Sequence, residues 1–104
     1  MAHRNKTNQL GHNGMLKKIV KDAEQRGVPK ENIETDLKGY KKPSKIENYI
    51  PDVKIKDDKG IHITEIETPE SLEEDKSQRA AFRRYAGKHP TVTFRTVVVK
   101  KKNK

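Results

Sequence analysis

Apolar residues recur every three or four positions early in the chain, which is the spacing of a helix with one buried face. The residues on that face are Met15, Leu16, Ile19, Val20 and Ala23. Asn13 can cap such a helix, and Gly27 can end it in the left-handed conformation. The pattern predicts an amphipathic helix over 14–26.

Three later segments alternate apolar and polar residues, the period of strands with one buried face. These segments predict strands over 32–40, 49–56 and 61–68. The sequence Asp-Asp-Lys-Gly at 57–60 separates the last two, and Gly60 can adopt the positive φ that a tight turn needs. Residues 49–68 are therefore predicted to form a β-hairpin.

The period becomes helical again after Thr68. Pro69 suits a first helical turn, and Ser71 with Glu74 can form a capping box, so a helix is predicted over 70–87. The β-branched run at 91–100 predicts a final strand. The element order is α-β-β-β-α-β, which predicts an α/β fold with a mixed sheet flanked by helices.

Length and composition favour one domain, 14–100, with a thin core, a flexible basic arm at 1–13 and a basic tail at 101–104. The chain has 104 residues, of which 30% are hydrophobic and 38% are charged. It has no cysteine, which excludes disulfides and Cys-based zinc sites. No apolar run approaches the roughly 18 residues of a membrane span, and the N-terminus lacks the apolar core of a signal peptide. We expect an intracellular, cytoplasmic protein without membrane partners.

The net charge of +9 predicts a polyanionic partner such as nucleic acid. The charge is unevenly distributed: six acidic residues and no basic one lie between Glu65 and Asp75, whereas Lys76 to Lys88 holds five basic residues and no acidic one. A uniform polyanion-binding surface would not contain such an acidic segment. One part of the protein is thus expected to bind cations and another to bind anions.

Three acids in the predicted hairpin are candidates for a cation site. Strand alternation places Glu65 and Glu67 on one face, about 6 to 7 Å apart, with His62 on the other. The turn at 57–60 brings Asp52 opposite roughly residue 65. Clustered carboxylate oxygens suit Mg²⁺ or Mn²⁺. The alternative is an exposed edge of acids that pair with lysines such as Lys54 and Lys56.

The segment "YIPD", the hairpin and "ITEIET" followed by a helix resemble the PD-(D/E)xK nuclease superfamily, which has the restriction-endonuclease-like fold. Pro51-Asp52 is similar to the Pro-Asp of its motif, and Glu65-Ile66-Glu67 to its (D/E)xK tripeptide. The predicted element order is similar to the core of that family, so the resemblance covers about 14–100. The sequence departs from the motif at Glu67, where the family has lysine.

The resemblance implies a Mg²⁺- or Mn²⁺-dependent endonuclease that hydrolyses DNA phosphodiester bonds. Asp52 and Glu65 would hold the cation with the backbone carbonyl of Ile66, and Glu24 would supply a further ligand. Small Holliday-junction resolvases of this fold are dimers, which makes a homodimer and branched DNA the matching expectations. Some restriction enzymes carry glutamate at the lysine position and still cleave, which favours a catalytic role for Glu67. Two alternatives stay open: a catalytically inactive DNA-binding protein of this fold, and a basic RNA-binding module.

Candidate contacts to nucleic acid lie in the basic loop, on the strand predicted over 49–56 and on the second helix. They are Lys41, Lys42, Lys54, Lys76, Gln78, Arg79 and Arg83. Arg79 and Arg83 share one helix face and could contact phosphates, whereas Asp75 and Arg79 could instead form a surface ion pair. In the nuclease interpretation, Lys76 or Gln78 could replace the missing lysine. His3, His12 and His89 lack any ligand spacing.

Overall fold

The computed structural model describes residues 11–99 of the 104-residue chain. Within that range the helices are α1 (His12–Gln25), α2 (Pro69–Glu74) and α3 (Lys76–Lys88), and the strands are β1 (Ile33–Thr35), β2 (Val53–Asp57), β3 (Gly60–Glu67) and β4 (Val92–Val98). A short 3₁₀ helix, Lys30–Asn32, precedes β1. None of the helices in this range is long and apolar enough to cross a membrane.

The strands form one mixed sheet in the order β1-β2-β3-β4. β1 and β3 both pair antiparallel with β2, while β3 and β4 are parallel. Parallel neighbours need a crossover connection, and α2 with α3 provides it. The predicted α/β class, a mixed sheet flanked by helices, is confirmed.

Each face of the sheet has its own hydrophobic core. On one face, α1 packs Leu16, Ile19, Val20 and Ala23 against Ile33, Val53, Ile55 and Ile66. On the other face, α3 buries Phe82 among Ile46, Ile63 and Val92. Ile63 and Ile66 belong to different cores because successive strand residues point to opposite faces. The side chains of β3 therefore divide between the two helical layers.

The helix boundaries differ from the predicted ones. α1 begins at His12 with Gly11 as its N-cap, so Asn13 lies inside the first turn. The helix predicted over 70–87 is two helices, interrupted at Asp75, whose φ of −103° and ψ of 25° leave the helical region. The capping box is Thr68 with Ser71 and not Ser71 with Glu74. Thr68 takes the cap position because a residue before proline is restricted to extended backbone.

The strand predicted over 32–40 is wrong beyond Thr35. Tyr40 donates its N–H to the Leu37 carbonyl, and Gly39 has a φ of 92°, so the chain turns there. The hairpin turn is as predicted, with Gly60 at a φ of 134°. A Cβ at this glycine would lie 1.8 Å from the Thr91 carbonyl oxygen. Of the predicted flexible arm, residues 11–13 form the N-cap and the first residues of α1. Residues 1–10 of the arm and the predicted tail at 101–104 lie outside the described residues.

Candidate active site

The register of the β2–β3 hairpin brings Asp52 and Glu65 together. Val53 pairs with Thr64, which places the preceding Asp52 beside Glu65. The Asp52 backbone N–H donates to Glu65 Oε1 at 2.9 Å. The Ile66 N–H in turn donates to Asp52 Oδ2 at 2.8 Å. The predicted convergence of these two carboxylates is confirmed.

The acids on β3 are not an exposed edge. Glu65 is 1% exposed and Glu67 is 2% exposed, and both lie on the face that α3 covers. Lys54 does not neutralise them, because its Nζ donates to the Ser44 hydroxyl at 2.9 Å. The alternative of solvated acids paired with strand lysines is therefore excluded.

The crossover helices complete the site around these buried acids. Gln78 of α3 donates its side-chain amide to Glu65, and Ser71 of α2 donates its hydroxyl to Glu67. Asp75, at the break between the helices, adds a further carboxylate beside Glu67. A cavity of about 250 Å³ lies among these side chains. We call it the acid pocket and define it by Asp52, Glu65, Glu67 and Asp75.

Burial and repulsion between neighbouring acids raise the pKa values of the two buried glutamates. Burial raises the pKa of Glu65 to about 8, and the charge of Asp52 adds to the rise against the hydrogen bonds from Asp52 N–H and Gln78. Burial also raises the pKa of Glu67, with a further contribution from Asp75, while the Ser71 hydrogen bond and the charge of Arg79 oppose the rise. Without a cation, the pocket therefore favours the protonated form of Glu65 near neutral pH.

His12 enters the site from the first turn of α1. Its Nε2 donates to Asp52 Oδ1 at 2.9 Å. The N-terminal end of a helix also carries partial positive charge, which favours the carboxylate. The spacing of His12 in the sequence did not predict this contact with Asp52. No sequence signal links it to Asp52, because the contact joins residues 40 positions apart.

Arg79 lies on the α3 side of the acid pocket. Its positive charge lowers the pKa of Glu67 against the effect of burial. Its Nη1 is buried and has no hydrogen-bond partner among residues 11–99. A buried guanidinium nitrogen without an acceptor is uncommon, because such a group loses its hydration without compensation. Arg79 thus acts on Glu67 through its charge, although it is not among the residues that line the acid pocket.

Several other predicted residues lie elsewhere. Glu24 is near the far end of α1 and accepts a hydrogen bond from the Tyr40 hydroxyl at 2.6 Å. It is twelve residues from His12, about 18 Å along the helix, so the structure does not bring it to the acid pocket. The predicted ligand role failed because the opposite end of α1 meets Asp52.

The predicted nucleic-acid contacts are dispersed. Lys76 pairs with Glu73 at 3.1 Å, and Lys42 pairs with Asp36 at 2.6 Å. Lys41 and Lys54 line a separate cavity beside β1. Arg83 lies over the Phe94 ring at 6.0 Å. Of that predicted set, Gln78 lines the acid pocket, and Arg79 lies close enough to lower the pKa of Glu67.

The donor chemistry of the pocket fits a hard divalent cation. In residues 11–99 no three His, Asp or Glu side chains form a ready-made metal cage. Mg²⁺ does not need one, since it commonly binds through one or two carboxylates and takes water and substrate oxygens for the rest. Asp52 and Glu65 are such a pair, and a cation would offset both the burial and the repulsion from Asp52 that raise the pKa of Glu65.

No family model, curated protein or solved structure matches this chain. The geometry of the acid pocket and the physical chemistry of its residues therefore carry the functional argument.

Proposed function

We propose that this protein is a Mg²⁺- or Mn²⁺-dependent endonuclease with a restriction-endonuclease-like core that hydrolyses DNA phosphodiester bonds. The observation that carries the proposal is the Asp52–Glu65 pair at one end of a mixed sheet, interlocked by two backbone hydrogen bonds, with Glu65 buried and Asp52 half-buried. Burying adjacent acids costs stability unless a ligand offsets it, so this arrangement points to function. The net charge of +9 supports a polyanionic substrate.

Asp52 and Glu65 are the residues that would hold the cation. When bound, the cation would polarise the phosphodiester and favour ionisation of water. The Ile66 N–H fixes one oxygen of Asp52, and Gln78 fixes Glu65, so neither carboxylate needs to reorganise. Fixed ligand orientation of this kind is what metal sites obtain from their surrounding hydrogen bonds.

Glu67 is suited to accept a proton from water. A general base works best when its pKa lies near the operating pH, and burial raises the pKa of Glu67 from its ordinary value. The hydroxyl of Ser71 holds the Glu67 side chain in place. This role would explain how a carboxylate can stand where the related motif has lysine.

Arg79 is our candidate for the positive charge that the lysine would otherwise supply. Lys76 is paired with Glu73, and the Gln78 amide is occupied by Glu65. The buried Nη1 of Arg79 has no partner among the described residues, so it can donate to a phosphate oxygen. Guanidinium groups are well matched to phosphate and stabilise charge that develops on it.

A catalytically inactive DNA-binding protein of the same fold is the second candidate. The observation that favours it is Glu67 itself, which adds a buried negative charge at the position of the missing lysine. The two candidates share Asp52 and Glu65 and differ in whether Glu67 permits cleavage. The basic RNA-binding module would use neither acid.

The test is a cleavage assay with labelled linear duplex, nicked duplex, four-way DNA and RNA in Mg²⁺, Mn²⁺ or EDTA. We expect metal-dependent cleavage of DNA that falls about a thousandfold or more in Asp52→Asn and in Glu65→Gln, because each removes a ligand charge. Asp36→Asn is the matched control, since Asp36 is an exposed acid that lines neither the acid pocket nor any other cavity of the hairpin. Its rate should stay within about twofold of wild type.

Robust cleavage that survives both pocket substitutions would overturn the assignment. DNA binding without cleavage in wild type, with activity gained in Glu67→Lys, would identify the inactive relative. Binding to RNA alone, unaffected by either pocket substitution, would favour the RNA-binding module. Sedimentation of the wild type with and without four-way DNA tests the expected homodimer.

A further inference from the structure

A second cavity, of about 520 Å³, opens on the α1 side of the sheet at the turn end of the β2–β3 hairpin. Arg26 at the end of α1, Lys59 in the turn and Arg95 on β4 line it together with His62 and Thr93. We call it the basic groove and define it by Arg26, Lys59 and Arg95. It lies on the opposite face and the opposite end of the hairpin from Glu65.

The acids in the basic groove are already engaged. Asp57 accepts from His62 Nε2 at 2.9 Å and from the Lys59 backbone N–H at 2.8 Å. Asp22 forms an ion pair with Lys18 at 3.7 Å. Neither carboxylate contacts a guanidinium or ammonium group that defines the groove.

The three cations of the groove lack acidic partners within residues 11–99. The structure records no ion pair there for Arg26, Lys59 or Arg95. Arg95 is nevertheless oriented, because its Nε donates to the buried Thr64 hydroxyl at 3.3 Å. Among residues 11–99, no hydrogen bond occupies either terminal nitrogen of the guanidinium, so both face a ligand of the groove without a competing partner there. The planar pair of donors matches two oxygens of a phosphate.

The polar network beneath the cations holds the groove in shape. Surroundings rich in donors lower the pKa of Asp57, with the His62 hydrogen bond first among them, so its carboxylate is ionised and only accepts. His62 Nε2 therefore donates to Asp57, and Nδ1 forms a second hydrogen bond with the Thr93 hydroxyl at 2.8 Å. The chain of Asp57, His62 and Thr93 ties the turn to β4, which carries Arg95.

We propose that the basic groove is a binding site for a phosphate group, contacted by Arg95, Arg26 and Lys59. The inference goes beyond the proposed nuclease, because it uses no residue of the acid pocket and needs no divalent cation. A phosphodiester of DNA and a free phosphate offer the same oxygens. In the first case the groove is a second contact to DNA, at a distance from the acid pocket.

The test measures binding without cleavage, in EDTA, with the full chain. Titration of a fluorescent DNA duplex is followed by anisotropy over a range of salt, and titration of inorganic phosphate by NMR of the Arg95 side-chain N–H and His62 ring signals. The variant is Arg26→Gln with Arg95→Gln, and the matched control is Lys38→Gln with Lys45→Gln, two exposed cations outside the groove.

We expect the groove variant to bind duplex about tenfold more weakly, with the slope of log affinity against log salt reduced by about two. The control pair should change the affinity less than about twofold. Duplex-induced shifts of Arg95 identify DNA as the source of the phosphate; saturable shifts from inorganic phosphate alone, absent in the groove variant, identify free phosphate. Either result supports the site.

Equal loss of duplex affinity in the groove variant and the control pair, without shifts of Arg95 in either titration, would overturn it. The same measurements in Asp52→Asn separate the two proposals, because that substitution should leave the groove intact even if the acid pocket has no catalytic role. Circular dichroism of each variant checks that it is folded.

Discussion

The two ends of the β2–β3 hairpin each hold a carboxylate, but the surroundings of these carboxylates differ. At the turn, Asp57 receives hydrogen bonds from His62 and from a backbone N–H, and its pKa is lowered, with the His62 bond as the largest cause. At the open end, Glu65 is buried beside Asp52, and its pKa is raised to about 8. One strand pair thus contains an acid that its neighbours stabilise as an anion and another that they destabilise.

The difference separates a structural acid from a candidate ligand. A carboxylate supplied with enough donors needs nothing further, and its role is to hold a turn. A buried carboxylate next to another acid is costly for the protein alone, and that cost is removed when a cation binds. Asp57 and Glu65 look alike in the sequence, as acids of one hairpin. The groups that contact each carboxylate in the fold distinguish them.

The largest expected effect concerns Glu65 and pH. Because its folded-state pKa exceeds the ordinary 4.5, its contribution to stability is complete below pH 4.5 and is lost as pH rises through about 8. In EDTA we expect Glu65→Gln and the wild type to have equal free energies of unfolding near pH 4. At pH 9 the free energy of unfolding of Glu65→Gln should exceed that of the wild type by about 2 kcal/mol or more. Urea denaturation at several pH values measures this.

Asp57→Asn serves as the control, since its effect should have the opposite sign. If the wild-type and Glu65→Gln stabilities change in parallel between pH 4 and pH 9, the raised pKa of Glu65 is wrong.

A smaller effect is expected from the cation itself. At pH 8, Mg²⁺ or Mn²⁺ at about ten times its dissociation constant should stabilise the wild type by roughly 1.4 kcal/mol, because it binds the folded state alone. Chelation should reverse the gain. Asp52→Asn and Glu65→Gln should show no gain, as measured by thermal unfolding with and without the cation. Equal stabilisation of wild type and both variants would place the cation elsewhere.

The smallest effect should come from the turn. Asp57→Asn is expected to lower the Tm at pH 7, because the donors that favour the anion lose their charged acceptor. A lowered pKa contributes stability above the ordinary 3.8 that is lost as pH falls through the folded-state value, so the two proteins should converge in strong acid. His62→Gln removes the same bond from the other side. If the two substitutions lower the Tm additively in the double variant, the hydrogen bond between Asp57 and His62 does not contribute to stability.

The local parts of the site could be predicted from the sequence. Alternation and a two-residue turn specify a hairpin register, and the register alone places Asp52 beside Glu65. The α/β class could be predicted from the helical and strand spacings of apolar residues. The early end of β1 was missed because alternation continues past Thr35 although the chain turns at Gly39.

The non-local parts could not be predicted. His12 meets Asp52 only because of the direction in which α1 crosses the sheet, and helical periodicity carries no information on that direction. The same direction takes Glu24 away from the pocket. The break at Asp75 lacks a glycine or proline to mark it, so the helix pattern runs through it.

The connectivity of the sheet has a consequence for the order of folding. The strands that bear Asp52 and Glu65 are joined by a tight turn, whereas β3 and β4 pair only after the chain has closed the long loop through α2 and α3. Short loops close at lower entropic cost and faster than long ones. We expect pulse-labelled hydrogen exchange to detect protection of the hairpin amides before those of β4. The two acids would then meet while still hydrated, and the cost of dehydrating Glu65 would arise late, when α3 docks.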